Sequence, residues 1–169
     1  MTDQERIDGL LRHIALVREN CGIMAEKLIA KGNSELGRRL IQVSLLHDNS
    51  KLNGIEWTFL TESNITNKAG LKYAIEHHGK TNPHHVEFWG AIDQMPVVYI
   101  AELVADLKAR SAEFGTDLRE YINNVFIKKY KIVKDGDDYN KIMGFVDMLC
   151  NKPFDTLEPQ RDSDSTVMI

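Results

Sequence analysis

Apolar side chains recur every three or four residues along almost the whole chain, and that period constrains the fold more than any other feature. Ile7, Leu10, Leu11, Ile14 and Val17 repeat at helical spacing, as do Leu36, Leu40 and Val43, and again Val97, Ile100, Ala101, Val104 and Leu107. Only a short stretch, Val97 to Ile100, reads as strand-like. The pattern predicts an all-α fold, a compact bundle of about six to seven helices with no significant sheet. Expected helices cover residues 3–30, with an interruption near Cys21-Gly22, then 34–47 with Ser34 as N-cap, a short amphipathic segment GIEWTFL, and 68–78. Three more are expected at 96–114, opened by Pro96, at 117–131 and at 138–150. Polar loops are expected at 64–67 and in GKTNPHH. With 169 residues, 43% of them apolar, the chain can bury one core. It reads as a single domain over 1–151 followed by a loosely structured tail, 152–169, rich in Pro, Ser and Asp, with no internal repeat.

Charge narrows the classes of partner. Lysine and arginine number 21 against 25 acidic residues, a net of −4, which argues against duplex nucleic acid as the main partner. No stretch approaches the roughly 18 apolar residues of a membrane span, and the charged N-terminus lacks a signal-peptide core, so a cytoplasmic location is expected. Cys21 and Cys150 have no paired spacing and read as ordinary thiols.

All six histidines fall between residues 13 and 85, four of them as the pairs His77-His78 and His84-His85. Such clustering points to metal. His13 sits between Leu10 and Val17 and faces the core edge of the first helix, where an imidazole needs a partner. His47 extends the stripe Leu36, Leu40, Val43 and is followed by Asp48, so that at a helix end the two side chains can converge on one ion. His78 continues Leu71, Ala74 and Ile75, which favours it over His77 as the inward member of its pair. Pro83 stiffens the loop that presents His84 and His85. Glu102 and Asp106 are spaced four apart on one helix, with Arg110 four residues further on. His13, His47, Asp48, His78, His84, His85 and Asp106 thus offer seven donors, more than one ion needs. The count favours two divalent ions bridged by a carboxylate, plausibly Asp48.

The order His, His-Asp, His, His-His, Asp on a helical chain resembles the HD-domain superfamily of metal-dependent phosphohydrolases over roughly residues 10–110, and HDNSK looks like its His-Asp-x-x-Lys signature. The resemblance implies His13, His47, Asp48 and Asp106 as the mononuclear ligand set, and His78, His84 and His85 as the histidines added in binuclear members. It implies Lys51 as a residue contacting phosphate or the nucleophile. HDNSK with Glu56, NPHHVEFW and ELVADLKARS is more closely similar to a group of small uncharacterised bacterial and phage proteins. The interval from His78 to His84-His85 is shorter than in cyclic-dinucleotide phosphodiesterases, and their Gly-Tyr-Pro motif is missing.

What the resemblance implies is hydrolysis of a phosphoester, a nucleotide or cyclic nucleotide, by metal-activated water, with Asp48, Lys51 and Glu56 in the catalytic machinery. Glu56 is open among metal ligand, general base and partner of Lys51; Glu102 is a second candidate for proton transfer. Lys51, Arg110 or Lys80 would neutralise phosphate charge, and Trp57, Trp89, Phe88 or Tyr99 would stack on a base. The expected partner is a small phosphoester, with a homodimer left open. The metal is not distinguished among Mn, Fe, Co, Ni, Mg and Zn. Two other classes use the same ligands: a di-iron oxygenase of the HD fold, and a non-catalytic metal-stabilised binding protein, such as a phage antagonist of a host factor.

Overall fold

The computed structural model describes residues 2–60 and 67–150. Helix α1 (Asp3–Ala30) begins at a capping box in which the Thr2 hydroxyl accepts from the Glu5 amide and Glu5 accepts from the Thr2 amide. It continues for 28 residues with no break at Cys21-Gly22, because both positions remain helical and Cys21 packs inside the core. Then come α2 (Ser34–Ser44), a 3₁₀ turn (Asn49–Leu52), α3 (Gly54–Phe59), α4 (Lys68–Thr81) and α5 (Val86–Trp89). A second 3₁₀ turn (Ile92–Gln94) leads to α6 (Val97–Phe114). Beyond it, α7 (Leu118–Tyr121) passes through a π-helical turn (Ile122–Phe126) into α8 (Ile127–Lys129), and α9 (Asp137–Leu149) follows. Among the described residues there is no strand, and the stretch Val97 to Ile100 opens α6. No helix among them is long and apolar enough to cross a membrane.

Three expected boundaries move. The second helix stops at Ser44 rather than His47, because Leu45 to Asp48 fold into turns. Its N-cap is Asn33, with Ser34 as the first helical residue. The fourth helix runs on to Thr81, since Asn82 supplies its C-cap. The expected helix 117–131 is one path interrupted by the π-helical turn. Asn67, the last residue of the expected 64–67 loop, caps α4 by accepting from the Gly70 amide; the remainder of that loop and the tail 152–169 lie outside the described residues.

Helix α1 packs against α2, α6 and α9, and α6 packs in addition against α2 and α9. Partners along α1 and α6 run in opposite senses, with His13 meeting Glu113 and Asn20 meeting the carbonyl of Ala105, so the two central helices are antiparallel. The core is built from Val17, Cys21, Met24 and Leu28 of α1, Leu40 of α2, Ile100, Ala101 and Val104 of α6, and Ile142 and Val146 of α9. Leu11, Ile75 and Val97, expected on inward faces, are instead about half exposed, at 49%, 56% and 43%. Each lies one position off the buried stripe of its helix.

Closest approach of α1 and α2 falls at Gly37, where a Cβ would stand 2.8 Å from Ile29 Cγ1 and 2.9 Å from the Ala25 carbonyl oxygen. Backbone cannot move aside as a side chain can. Gly37→Ala is expected to destabilise the protein by about 1–3 kcal/mol from overpacking, despite the roughly 0.5–1 kcal/mol that alanine gains over glycine in a helix. A lower urea midpoint with unchanged helical circular dichroism is the expected result; an unchanged or higher midpoint would contradict this packing.

Candidate metal centre

Four parts of the chain deliver the histidines and Asp48. His13 projects from α1, His47 and Asp48 lie in the turn after α2, His78 is in the last part of α4, and His84 and His85 form the link into α5. Asp106 comes from the middle of α6. Asp48 adopts a left-handed backbone, with φ of 57°, and stands at the start of the 3₁₀ turn, where its carbonyl accepts from the Lys51 amide. Aspartate tolerates that conformation better than most residues. The turn, not a helix end, places His47 and Asp48 side by side.

The seven residues predicted as ligands converge. His78, His84 and His85 offer donor atoms within 4.8 Å of one another, as do His13, His47 and Asp48, and His47, His84 and Asp106. Asp48 is 1% exposed and its two oxygens divide the imidazoles. Oδ2 lies 3.5 Å from His13 Nε2 and 3.6 Å from His47 Nε2, whereas Oδ1 lies 3.2 Å from His78 Nε2 and 3.5 Å from His84 Nε2. Asp106 Oδ1 stands 3.1 Å from His13 Nε2.

Each of these residues keeps one buried atom without a hydrogen-bond partner: Nε2 of His13, His47, His78, His84 and His85, and Oδ1 of Asp48 and Asp106. Buried polar atoms are nearly always satisfied, so seven exceptions pointing into one space fit a missing cation. The opposite edges of three rings are fixed. His13 Nδ1 bonds Glu113 Oε1 at 2.9 Å, His47 Nδ1 bonds Glu102 Oε1 at 3.1 Å, and His78 Nδ1 bonds Glu56 Oε2 at 2.7 Å. A carboxylate only accepts, so each Nδ1 donates a proton outward and Nε2 is the ring atom that faces the centre. Nitrogen and carboxylate donors of this kind could hold a divalent transition-metal ion.

Charge state follows from burial and neighbours. Burial and the neighbouring His47 and His85 push His84 well below the ordinary imidazole range, and burial with His78 lowers His85 to about 4, so both rings are neutral at pH 7. Burial alone would lower His47 too, but Glu102, Asp48 and Asp106 outweigh it and raise the group. Burial would likewise raise Asp48; contacts with His78, Lys51 and His47 hold its carboxyl well below the usual range.

The remaining predicted residues separate by what they touch. Lys51 Nζ reaches Asp48 Oδ2 at 2.6 Å and not Glu56. Glu56 stands behind the donors: one oxygen accepts from Ser50 at 2.8 Å and from His78, the other from His77 at 2.8 Å. His77 is thus a partner of Glu56 and does not face the centre. Glu102 lies behind His47, and Arg110 bonds Glu113 at 3.0 Å, near Asp106. Lys80 is exposed at the end of α4. Trp89 packs on Phe88 and Tyr99 and donates to the Pro83 carbonyl, bracing the loop that carries His84. Trp57 lines a cavity of about 870 Å³ that reaches His13 and Lys51. Sequence reasoning missed Glu113, Ser50 and Asn82, whose side-chain nitrogen donates to the His78 carbonyl and to Ser50. Seven residues separate Glu113 from Asp106, close to two helical turns, and that spacing was the available signal for it.

Residues 2–143, which include every donor of the cluster, match a family of unknown function, DUF5662. The chain belongs to DUF5662. No curated protein and no solved structure matches it. For this DUF5662 member the chemistry of the centre therefore has to be argued from its own residues.

Divalent metal is expected to raise the melting temperature of metal-stripped protein, by the equivalent of about 2.7 kcal/mol at a hundred times the dissociation constant. Asp48→Ala should abolish the rise, and Glu102→Gln should weaken metal binding about 10–100-fold; calorimetric titration checks both. Metal must displace the proton that His47 holds above the ordinary imidazole value of 6.5. Affinity is therefore expected to be lower at pH 6 than at pH 8, and a pH-independent affinity would show that His47 is no ligand.

Proposed function

We propose that the protein is a metal-dependent phosphohydrolase with a binuclear centre of the HD-domain type. The observation that carries this reading is Asp48, whose two oxygens face separate groups of imidazoles while Lys51 holds one of them. In this assignment His13, His47 and Asp106 would hold one ion, His78, His84 and His85 would hold a second, and Asp48, with an oxygen toward each group, would serve both. Charge favours a bound cation. Asp48, Asp106, Glu56, Glu102 and Glu113 bring five carboxylates to the centre and its surround, against Lys51 and the rim residue Arg110.

Bound divalent ions supply Lewis acidity to the phosphoryl group and bring the pKa of water toward neutrality. The chain supplies the rest. Glu56, Glu102 and Glu113 fix the rings, so the donors need no reorganisation during reaction. Lys51 lines the cavity and touches Asp48, and its ammonium would neutralise charge on the phosphoryl group or the leaving oxygen. A water oxygen forms the new bond to phosphorus and the P–O ester bond breaks. The alcohol departs with its ester oxygen and one proton of the water, and phosphate keeps the water oxygen, its three other oxygens and the second proton. No side chain is alkylated or phosphorylated.

Phosphate release from a panel of phosphomonoesters and nucleotides, and monophosphate formation from cyclic nucleotides, with protein reconstituted in turn with Mn, Co, Ni, Fe and Mg, tests the proposal. Turnover is expected with wild type and absent from Asp48→Ala. Lys51→Ala should retain metal and lose about 10²–10³-fold in kcat, as for removal of a transition-state charge donor. Oxygen uptake by the iron-loaded protein without phosphate release would move the assignment to a di-iron oxygenase. Metal binding without either reaction would move it to a binding protein.

A further inference from the structure

The cavity of about 870 Å³ beside the centre lies within the roughly 300–1,000 Å³ range of small-molecule sites. Its inner end reaches His13 and Lys51, so a ligand whose phosphate sits at the centre would place the rest of its body there. Leu10 and Leu16 of α1, Leu60 after α3, Leu71 of α4 and Phe114 of α6 give it apolar walls.

Apart from the Trp57 indole and the His13 imidazole its polar side chains are charged, and most are already engaged. Arg6 donates to the Trp57 carbonyl at 2.6 Å, pairs with Asp3, and lies 3.8 Å over the Trp57 ring, which leaves that face of the indole unavailable for stacking. Lys51 is held by Asp48 and Arg110 by Glu113. Among the described residues no asparagine, glutamine, serine or threonine lines the cavity. Against its leucine and phenylalanine walls the hydrogen-bonding edges of a nucleobase or sugar would meet few neutral partners among those residues, and unpaired buried polar groups are costly. Arg12, the remaining cation of the lining, is exposed and has no ion pair among the described residues. It stands free to meet an anionic group at the rim.

We propose that this cavity is the subsite for an apolar body on a phosphate-bearing ligand, so that the protein acts on monoesters of aliphatic or aryl alcohols in preference to nucleotides. Turnover rests on the phosphohydrolase reading, whereas the binding preference rests on the cavity. Leu10 and Leu71 set that preference by excluding water from the body of the ligand, whose phosphate would sit at the centre beside Lys51.

The test uses the metal-loaded full chain and two readouts. First, calorimetric binding of methyl-, butyl- and hexylphosphonate, which cannot be hydrolysed at phosphorus, is compared in wild type, Leu10→Gln and Leu71→Gln. Affinity is expected to rise at least about tenfold from methyl to hexyl in wild type, since a buried methylene is worth about a factor of three to four. The rise should shrink in both variants. Second, kcat/KM for hexyl and phenyl phosphate is compared with that for glycerol phosphate and adenosine monophosphate, and should favour the first pair at least about tenfold. A flat phosphonate series in wild type, or preferred hydrolysis of adenosine monophosphate or glycerol phosphate, overturns the inference and leaves the phosphohydrolase reading standing. A rising phosphonate series with no ester hydrolysed supports the subsite and overturns hydrolysis as the reaction.

Discussion

Everything in the interior is arranged around one electrostatic constraint: seven buried acceptor atoms face one another with almost no donor among them. Five imidazole nitrogens and two carboxylate oxygens lie without hydrogen-bond partners in a helical bundle otherwise closed by aliphatic packing. Leaving one such atom unsatisfied costs about 1–3 kcal/mol, so the cluster works against the fold unless positive charge is added. Lys51 and a proton on His47 supply part of it. A cation satisfies several of these atoms at once, which no rearrangement of this side-chain set can do, because the outer edges of three rings are already held by carboxylates.

Those outer carboxylates explain why the helices need to be where they are. Glu102 and Glu113 sit on α6 and hold His47 and His13, which come from the turn after α2 and from α1. Glu56 on α3 holds His78 on α4. Each pair ties two elements together while it turns a ring, so the same bonds that set ligand direction also fix helix position. The hydrophobic contacts of α1 with α6 bring these partners within reach; the hydrogen bonds then select the ring orientation.

Helix existence was legible in the sequence because burial by one face leaves a 3.6-residue period, and the paired histidines marked the donor set before any coordinates. What periodicity could not give was the turn at Leu45 to Asp48. His47 continues an inward stripe, so the pattern extends the helix through it, while the chain instead places Asp48 in a left-handed conformation that brings adjacent side chains to one point. Leu11 and Ile75 misled for a related reason: α1 and α4 each present an apolar residue beyond the edge of the buried face. Glu56 stayed ambiguous because a carboxylate that binds metal and one that orients a metal-binding imidazole are the same residue at the same distance along the chain. Only the 2.7 Å contact with His78 Nδ1 separates them.

Helix α1 shows how one element serves both packing and chemistry. One face of its C-terminal part, with Val17, Cys21, Met24 and Leu28, is buried against α2, α6 and α9. Its N-terminal part contributes His13 to the cluster and Leu10, Arg12 and Leu16 to the cavity. Because the helix is continuous, the buried half acts as an anchor for the half that faces ligand. Residues at positions 9, 12 and 16 can therefore line a cavity, with 13 where cavity and cluster meet, while 14 and 17 turn into the core, since neighbours on a helix differ by about 100° in direction. A break at Cys21-Gly22 would have uncoupled the two halves. Continuity of α1 is thus a requirement of the site as much as of the fold.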